Sequence, residues 1–135
     1  MIKRFVPVLV ALAGAAVLFA GSASAATQTK AHTFGSCHKT GHGARCTAEG
    51  TANHPSSLWL HVRAQPHQRV YVGWAVQCSK GSGKRRKHGS FSARATPTLT
   101  RKMPMTYKHP DQCIAAAAAQ LSKHGSIRVW LTVGK

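Results

Sequence analysis

Carboxylates are almost missing from this chain. Its 135 residues contain two, Glu49 and Asp111, against nineteen Lys and Arg, which gives a formal net charge of +17. The shortage excludes several kinds of chemistry. Glycoside hydrolysis needs a pair of acids about 5–10 Å apart, and nothing in the positions of Glu49 and Asp111 suggests such a pair. A hard cation needs a cage of oxygen ligands, which two acids cannot easily build. Other signatures are missing too. There is no HExxH motif, no nucleophile elbow and no phosphate-cradling glycine loop. Gly81-Ser82-Gly83-Lys84 comes near the last of these, but Arg85 stands where Ser or Thr is required. A Ser–His–Asp set could use Asp111, yet Ser and His are so common here that chance accounts for it. Asp111 follows Pro110 and reads as a turn or capping residue. We therefore expect no enzyme and no cofactor. The sequence also shows no internal repeat and no linker leading to a second core.

The N-terminus reads as an address. Lys3 and Arg4 precede an uncharged apolar run from Phe5 to Gly21, and Ala23-Ser24-Ala25 follows as a small-x-small signal. This order is that of a cleaved secretory signal peptide over residues 1–25. An uncleaved anchor is the alternative. The run is at the lower limit for spanning a bilayer, and Pro7 and Gly14 weaken it as a helix. Cleavage would leave 110 residues with a charge of +15, enough for one domain with a modest core. No long amphipathic helix would remain to permeabilise a membrane.

All four cysteines, Cys37, Cys46, Cys78 and Cys113, fall in the mature part. An even count in an exported small domain implies two disulfides. Three pairings are possible. The favoured one is Cys37–Cys46, across a short Gly/His loop, with Cys78–Cys113 tying the middle of the domain to its end. Each bridge would add about 2–4 kcal/mol on the chain-entropy model. Were the thiols reduced, Cys37, His38, His42 and Cys46 could hold zinc or copper. Export favours the disulfide, and no metal is expected.

Residues 26–36 read as a flexible segment, and 37–135 as the domain. Leu58–Ala64 alternates apolar and polar residues, as a half-buried strand does. Val70–Cys78 is the strongest strand, β-branched and aromatic, with Val70, Val72, Trp74, Val76 and Cys78 on one face. Ser79–Gly89 reads as a glycine-containing connection carrying a basic cluster. Ser90–Thr96 alternates again, and Met103–Tyr107 suggests an irregular edge strand. Cys113–Ser122 contains five consecutive alanines, which favour helix on propensity. It lacks a charged face, however, and Lys123-His124-Gly125 then reads as a turn before the alternating Ser126–Val133. We expect a closing β-hairpin there, with alanines that let a facing sheet or a Trp approach. Short strands at spacings near ten residues argue a small antiparallel β-sandwich or barrel, all-β.

The layout resembles an immunoglobulin-like sandwich over about residues 43–133. Trp74 lies on a central strand, and Cys113 opens a penultimate strand before the final pair. Cys78 follows the Trp on one strand, so the Cys–Trp–Cys order of that family is absent. The overall layout is also similar to small secreted actinobacterial proteins. Neither resemblance implies an activity or a site residue.

The remaining signal is charge. Lys80, Lys84, Arg85, Arg86 and Lys87, followed by Arg94, Arg101 and Lys102, place eight cations and no acid between Cys78 and Lys102. Unpaired cations stay at the surface, because burying them is very costly. The run is either a solvated stretch or a landing site for polyanions, where Arg supplies bidentate contacts and Lys point charges. The aromatics Trp59, Tyr71, Trp74, Phe91 and Trp130 fall in strand patterns and read as core. Trp130, flanked by Arg128, is the candidate for an outer face. We expect a secreted, monomeric, non-catalytic binder of anionic polymers, through Lys80, Lys84, Arg85, Arg86 and Lys87 with Arg101 and Lys102 in support. Wall polymers, nucleic acid, anionic glycans and lipid surfaces are the candidate partners. The alternative is a protein-interaction domain, such as a protease inhibitor, presenting residues 79–89 as a protruding loop.

Overall fold

The alternating patterns become strands nearly end to end. The computed structural model describes residues 32–134, so the expected signal peptide and residues 26–31 lie outside the described part. Among the described residues there are eight strands: β1 (His32–His42), β2 (Arg45–Asn53), β3 (Ser57–Gln65), β4 (Gln68–Lys80), β5 (Gly83–Ala95), β6 (Thr98–Met103), β7 (Gln112–Leu121) and β8 (His124–Gly134). They form two four-stranded sheets, with orders β1-β8-β3-β6 and β2-β7-β4-β5. Every strand pair is antiparallel. The protein is a sandwich, and both disulfides have the favoured pairing. Cys37 and Cys46 are bonded to each other and so supply no thiolates for a metal. Such bridges suit an oxidising compartment. Among the described residues no helix is long and apolar enough to cross a membrane.

Four expectations are corrected. The edge strand read at Met103–Tyr107 is Thr98–Met103 instead, and 104–107 follow it outside any strand. Residues 32–36, expected to be flexible, are the first part of β1. Ser79–Gly89 is not a loop: β4 runs to Lys80 and β5 starts at Gly83, leaving Gly81 and Ser82 as the turn. The last two strands are not a hairpin either. β7 and β8 lie in different sheets, because both turn apolar faces to the interior and meet across it. The β4–β5 hairpin is the one connection between successive described strands that stays within a sheet; every other crosses between sheets.

The interior is aliphatic and small. β2 and β7 contribute Ala48, Ala52, Ala115, Ala117 and Ala119; β3, β4 and β8 contribute Leu58, Leu60, Val62, Val70, Val76, Ile127, Val129, Leu131 and Val133, all buried. No described Trp, Tyr or Phe is among the buried residues. Trp74 and Phe91 pack at the margin of the core rather than within it. The alanine faces of β2 and β7 are covered by the larger aliphatic side chains of the facing strands.

The two flanks of the sandwich differ. At the β1/β2 flank the sheets touch backbone to backbone. A Cβ on Gly35 would sit 2.5 Å from the Glu49 carbonyl oxygen, and one on Gly50 would overlap Phe34. The Cys37–Cys46 bridge joins the sheets at this same flank. Cys78 and Cys113 instead face each other directly on neighbouring strands of one sheet. The other flank, between the edge strands β5 and β6, has no such closure.

One buried amide holds one end of the sandwich. The Gln68 side chain donates to the carbonyl oxygens of Pro66 and His124, each at 3.2 Å. Its Oε1 accepts from the Lys123 amide at 2.7 Å and from Ser122 Oγ at 3.4 Å. These contacts tie the β3–β4 and β7–β8 connections together. Gln68→Leu keeps the volume and leaves these partners unpaired. We expect it to lower the unfolding free energy by about 1–3 kcal/mol, read as an earlier urea midpoint with an unchanged slope. An unshifted midpoint would refute this role for Gln68.

Candidate polyanion interface

The basic cluster is a strand, so its side chains alternate between two surfaces. Among the described strands β5 pairs with β4 alone, in which Val76 stands opposite Lys87 and Cys78 opposite Arg85. Arg85 and Lys87 therefore share the face that β4 buries, and Lys84, Arg86 and His88 share the opposite one. A cation could not occupy the first position in a central strand. On an edge strand its stem lies along the sandwich while its charge leaves through the open flank. The glycines that suggested a loop have separate local causes. Gly81 takes a φ of 58° in the turn. A Cβ on Gly83 would meet the Tyr107 hydroxyl at 2.5 Å, and one on Gly89 the Trp74 ring at 2.7 Å.

Opposite β5 lies β6, the edge of the other sheet, and the segment that follows it. Arg101 shares the inward face of β6 with Leu99 and Met103, as its pairing with Leu60 shows. Its guanidinium lies 4.6 Å from the centre of the Phe91 ring on β5. The Arg85 guanidinium lies 4.6 Å from the Tyr107 ring, and Thr106 Oγ1 donates to the Arg85 carbonyl at 3.0 Å. Between them runs a shallow groove lined by Ser56, Arg85, Lys102, Met103, Pro104, Met105, Thr106, Tyr107 and Lys108.

The seven expected residues thus surround one flank without forming one patch. Arg85 and Lys102 line the groove. Arg101 and Lys87 face the flank. Lys84 and Arg86 lie on the outer face of the β2-β7-β4-β5 sheet. Lys80 sits exposed at the end of β4, beside the turn. All seven are exposed. Asp111, the carboxylate nearest in the fold to this cluster, has another use. Its Oδ2 accepts from the Gly81 amide at 2.7 Å, and its own amide donates to the Ser79 carbonyl at 2.8 Å. It fixes the β4–β5 turn, in line with the turn or capping role read from sequence.

Several surface residues were missed or misassigned. Lys108 and Tyr107 join the groove. Trp59 and Tyr71, read as core, lie on outer faces, and so does Trp130, the candidate for one. Trp59, His61 and Arg63 alternate with buried Leu58, Leu60 and Val62 on β3, and Arg128, Trp130 and Thr132 alternate with buried Ile127, Val129 and Leu131 on β8. The register puts His61 opposite Trp130. Their rings stack at 5.0 Å with 13° between planes. Arg128 lies 4.8 Å from the Trp130 ring centre and Lys102 5.8 Å from that of Trp59.

No protein-family model and no curated protein matches this chain.

Burial pushes the His61 pKa below its ordinary value. Its Nδ1 lies 3.1 Å from Thr100 Oγ1 and its Nε2 2.8 Å from Thr132 Oγ1, so hydroxyls rather than carboxylates face both nitrogens. The unfolded chain then binds the His61 proton more readily than the folded one. Stability contributed by neutral His61 is present above pH 6.5 and declines as pH falls below it. A proton NMR titration should give a His61 midpoint below 6.5. His61→Gln should flatten the acid side of the stability curve; a midpoint at or above the ordinary value contradicts this.

Proposed function

We propose that this protein is secreted and binds anionic polymers without catalysis, using the flank between β5 and β6. One observation carries the reading. Arg85, Lys102 and Lys108 line a groove that no carboxylate lines; Arg85 lies over the Tyr107 ring of that groove and Lys102 over the Trp59 ring outside it. Cations two residues apart on one strand face are separated by about 7 Å. At that distance they repel by about 0.6 kcal/mol in water before screening. An exposed cation–ring contact contributes about 0.5–1 kcal/mol. The rings therefore offset roughly one repulsion each, and an arriving polyanion relieves the rest. A charged edge also prevents pairing with a second copy. A lysine or two would be enough for that, whereas β5 alone carries Lys84, Arg85, Arg86, Lys87 and Arg94.

The ligand class is a linear polyanion that can lie along the flank, such as a wall polymer, a nucleic acid or an anionic glycan. Retention on DNA and heparin should weaken linearly in log–log form with salt, by about 0.9 in slope for each DNA phosphate neutralised. Replacing Lys84, Arg85, Arg86 and Lys87 by Ser should flatten that slope and move elution to low salt, with the β-sheet circular dichroism unchanged. Full retention by the folded variant would refute the flank as the site.

A further inference from the structure

A second group of cations lies on a different surface. The outer face of the β1-β8-β3-β6 sheet places His38, Arg128 and Arg63 in one row across three neighbouring strands. Register pairs His38 with Arg128, and Arg128 with Arg63. Directly opposed residues have Cβ atoms about 5 Å apart, and like charges there are destabilising. The next row adds Gln65 opposite Ser126. These five side chains line one concavity, which shares no lining residue with the flank groove.

Its donor set is one-sided. Two guanidiniums present N–H forks, Gln65 an amide, Ser126 a hydroxyl and His38 a ring nitrogen. No carboxylate lines it. Among the described residues neither Arg63 nor Arg128 forms an ion pair or donates a side-chain hydrogen bond. Arg128 is nonetheless held in place, because its guanidinium rests over the Trp130 ring, which is itself stacked on His61. Planar forks meet tetrahedral oxyanions in bidentate fashion. Two arginines that line one concavity, one of them held over a ring, can together serve a single such group.

We infer that Arg63, Arg128 and His38, with Gln65 and Ser126, form a discrete site for one tetrahedral oxyanion, a phosphate or a sulfate. The site goes beyond the flank reading: it recognises a single group by geometry, whereas the flank attracts a chain by charge. The two can fail independently.

The test is a titration of the isotope-labelled protein with inorganic phosphate and, separately, inorganic sulfate, at ionic strength held constant with sodium chloride. The Nε–Hε resonances of Arg63 and Arg128 should move together and saturate with one dissociation constant, while those of Arg85 and Arg101 should not. Whichever anion saturates at lower concentration identifies the group. Arg63→Gln should weaken binding about tenfold or more. Arg63→Lys, which keeps the charge and loses the fork, should weaken it as well. Amide spectra of both variants establish that they remain folded. Unsaturated, parallel movement of all arginine signals would overturn the site, as would saturation that survives in the folded Arg63→Gln, Arg128→Gln double variant.

Discussion

The small aliphatic side chains that line the interior govern the rest of this molecule. Alanines at 115, 117 and 119 on β7, with Ala48 and Ala52 on β2, leave only the volume that aliphatic side chains from the other strands can fill. Gly35 and Gly50 bring the backbones into contact at one flank, where the Cys37–Cys46 bridge fixes them. Among the described residues no ring is fully buried in that interior. Buried apolar surface is the main stabilising term in folding, so a core without rings is a small one. The two disulfides suit that need.

The described rings lie outside the fully buried core, and four of the seven meet cations. Phe91 and Tyr107 border the open flank; Trp59 and Trp130 lie on an outer face. Each has a guanidinium or ammonium group over it. In a chain with ordinary acid content, carboxylates would hold many of these side chains. Here ring faces do so, and a ring restrains a guanidinium without using up its outward N–H groups. A cation held this way keeps its outward donors available, and both proposed surfaces depend on that.

Much of the fold could be read from local pattern. Period-two alternation identified the strands at Leu58–Ala64, Val70–Cys78 and Ser126–Val133, and the even cysteine count gave the bridges. Alternation says which way a side chain points, but not which strand lies beside it. The β7–β8 connection was accordingly misread as a hairpin, although its alanines do face the other sheet. The basic segment was misread for another reason. Its glycines read as a connection between strands, but two of them make room for Tyr107 and Trp74. The outward tryptophans were legible. Leu58 and Leu60 point inward, so Trp59 between them must point outward, and the same holds for Trp130 between Val129 and Leu131. Hydrophobicity suggested core for these residues, and their position in the alternation contradicted it. The row of His38, Arg128 and Arg63 depends on register among three strands distant in sequence, and no local pattern contains it.

The central claim is that rings outside the buried core immobilise cations in the absence of acids. Side-chain relaxation of arginine Nε–Hε groups in the unliganded protein tests it most directly. Arg85, Arg101 and Arg128, each over a ring, should show high order parameters, while Arg86 and Arg94 should move freely on the nanosecond scale. Equal mobility for all five would contradict the account.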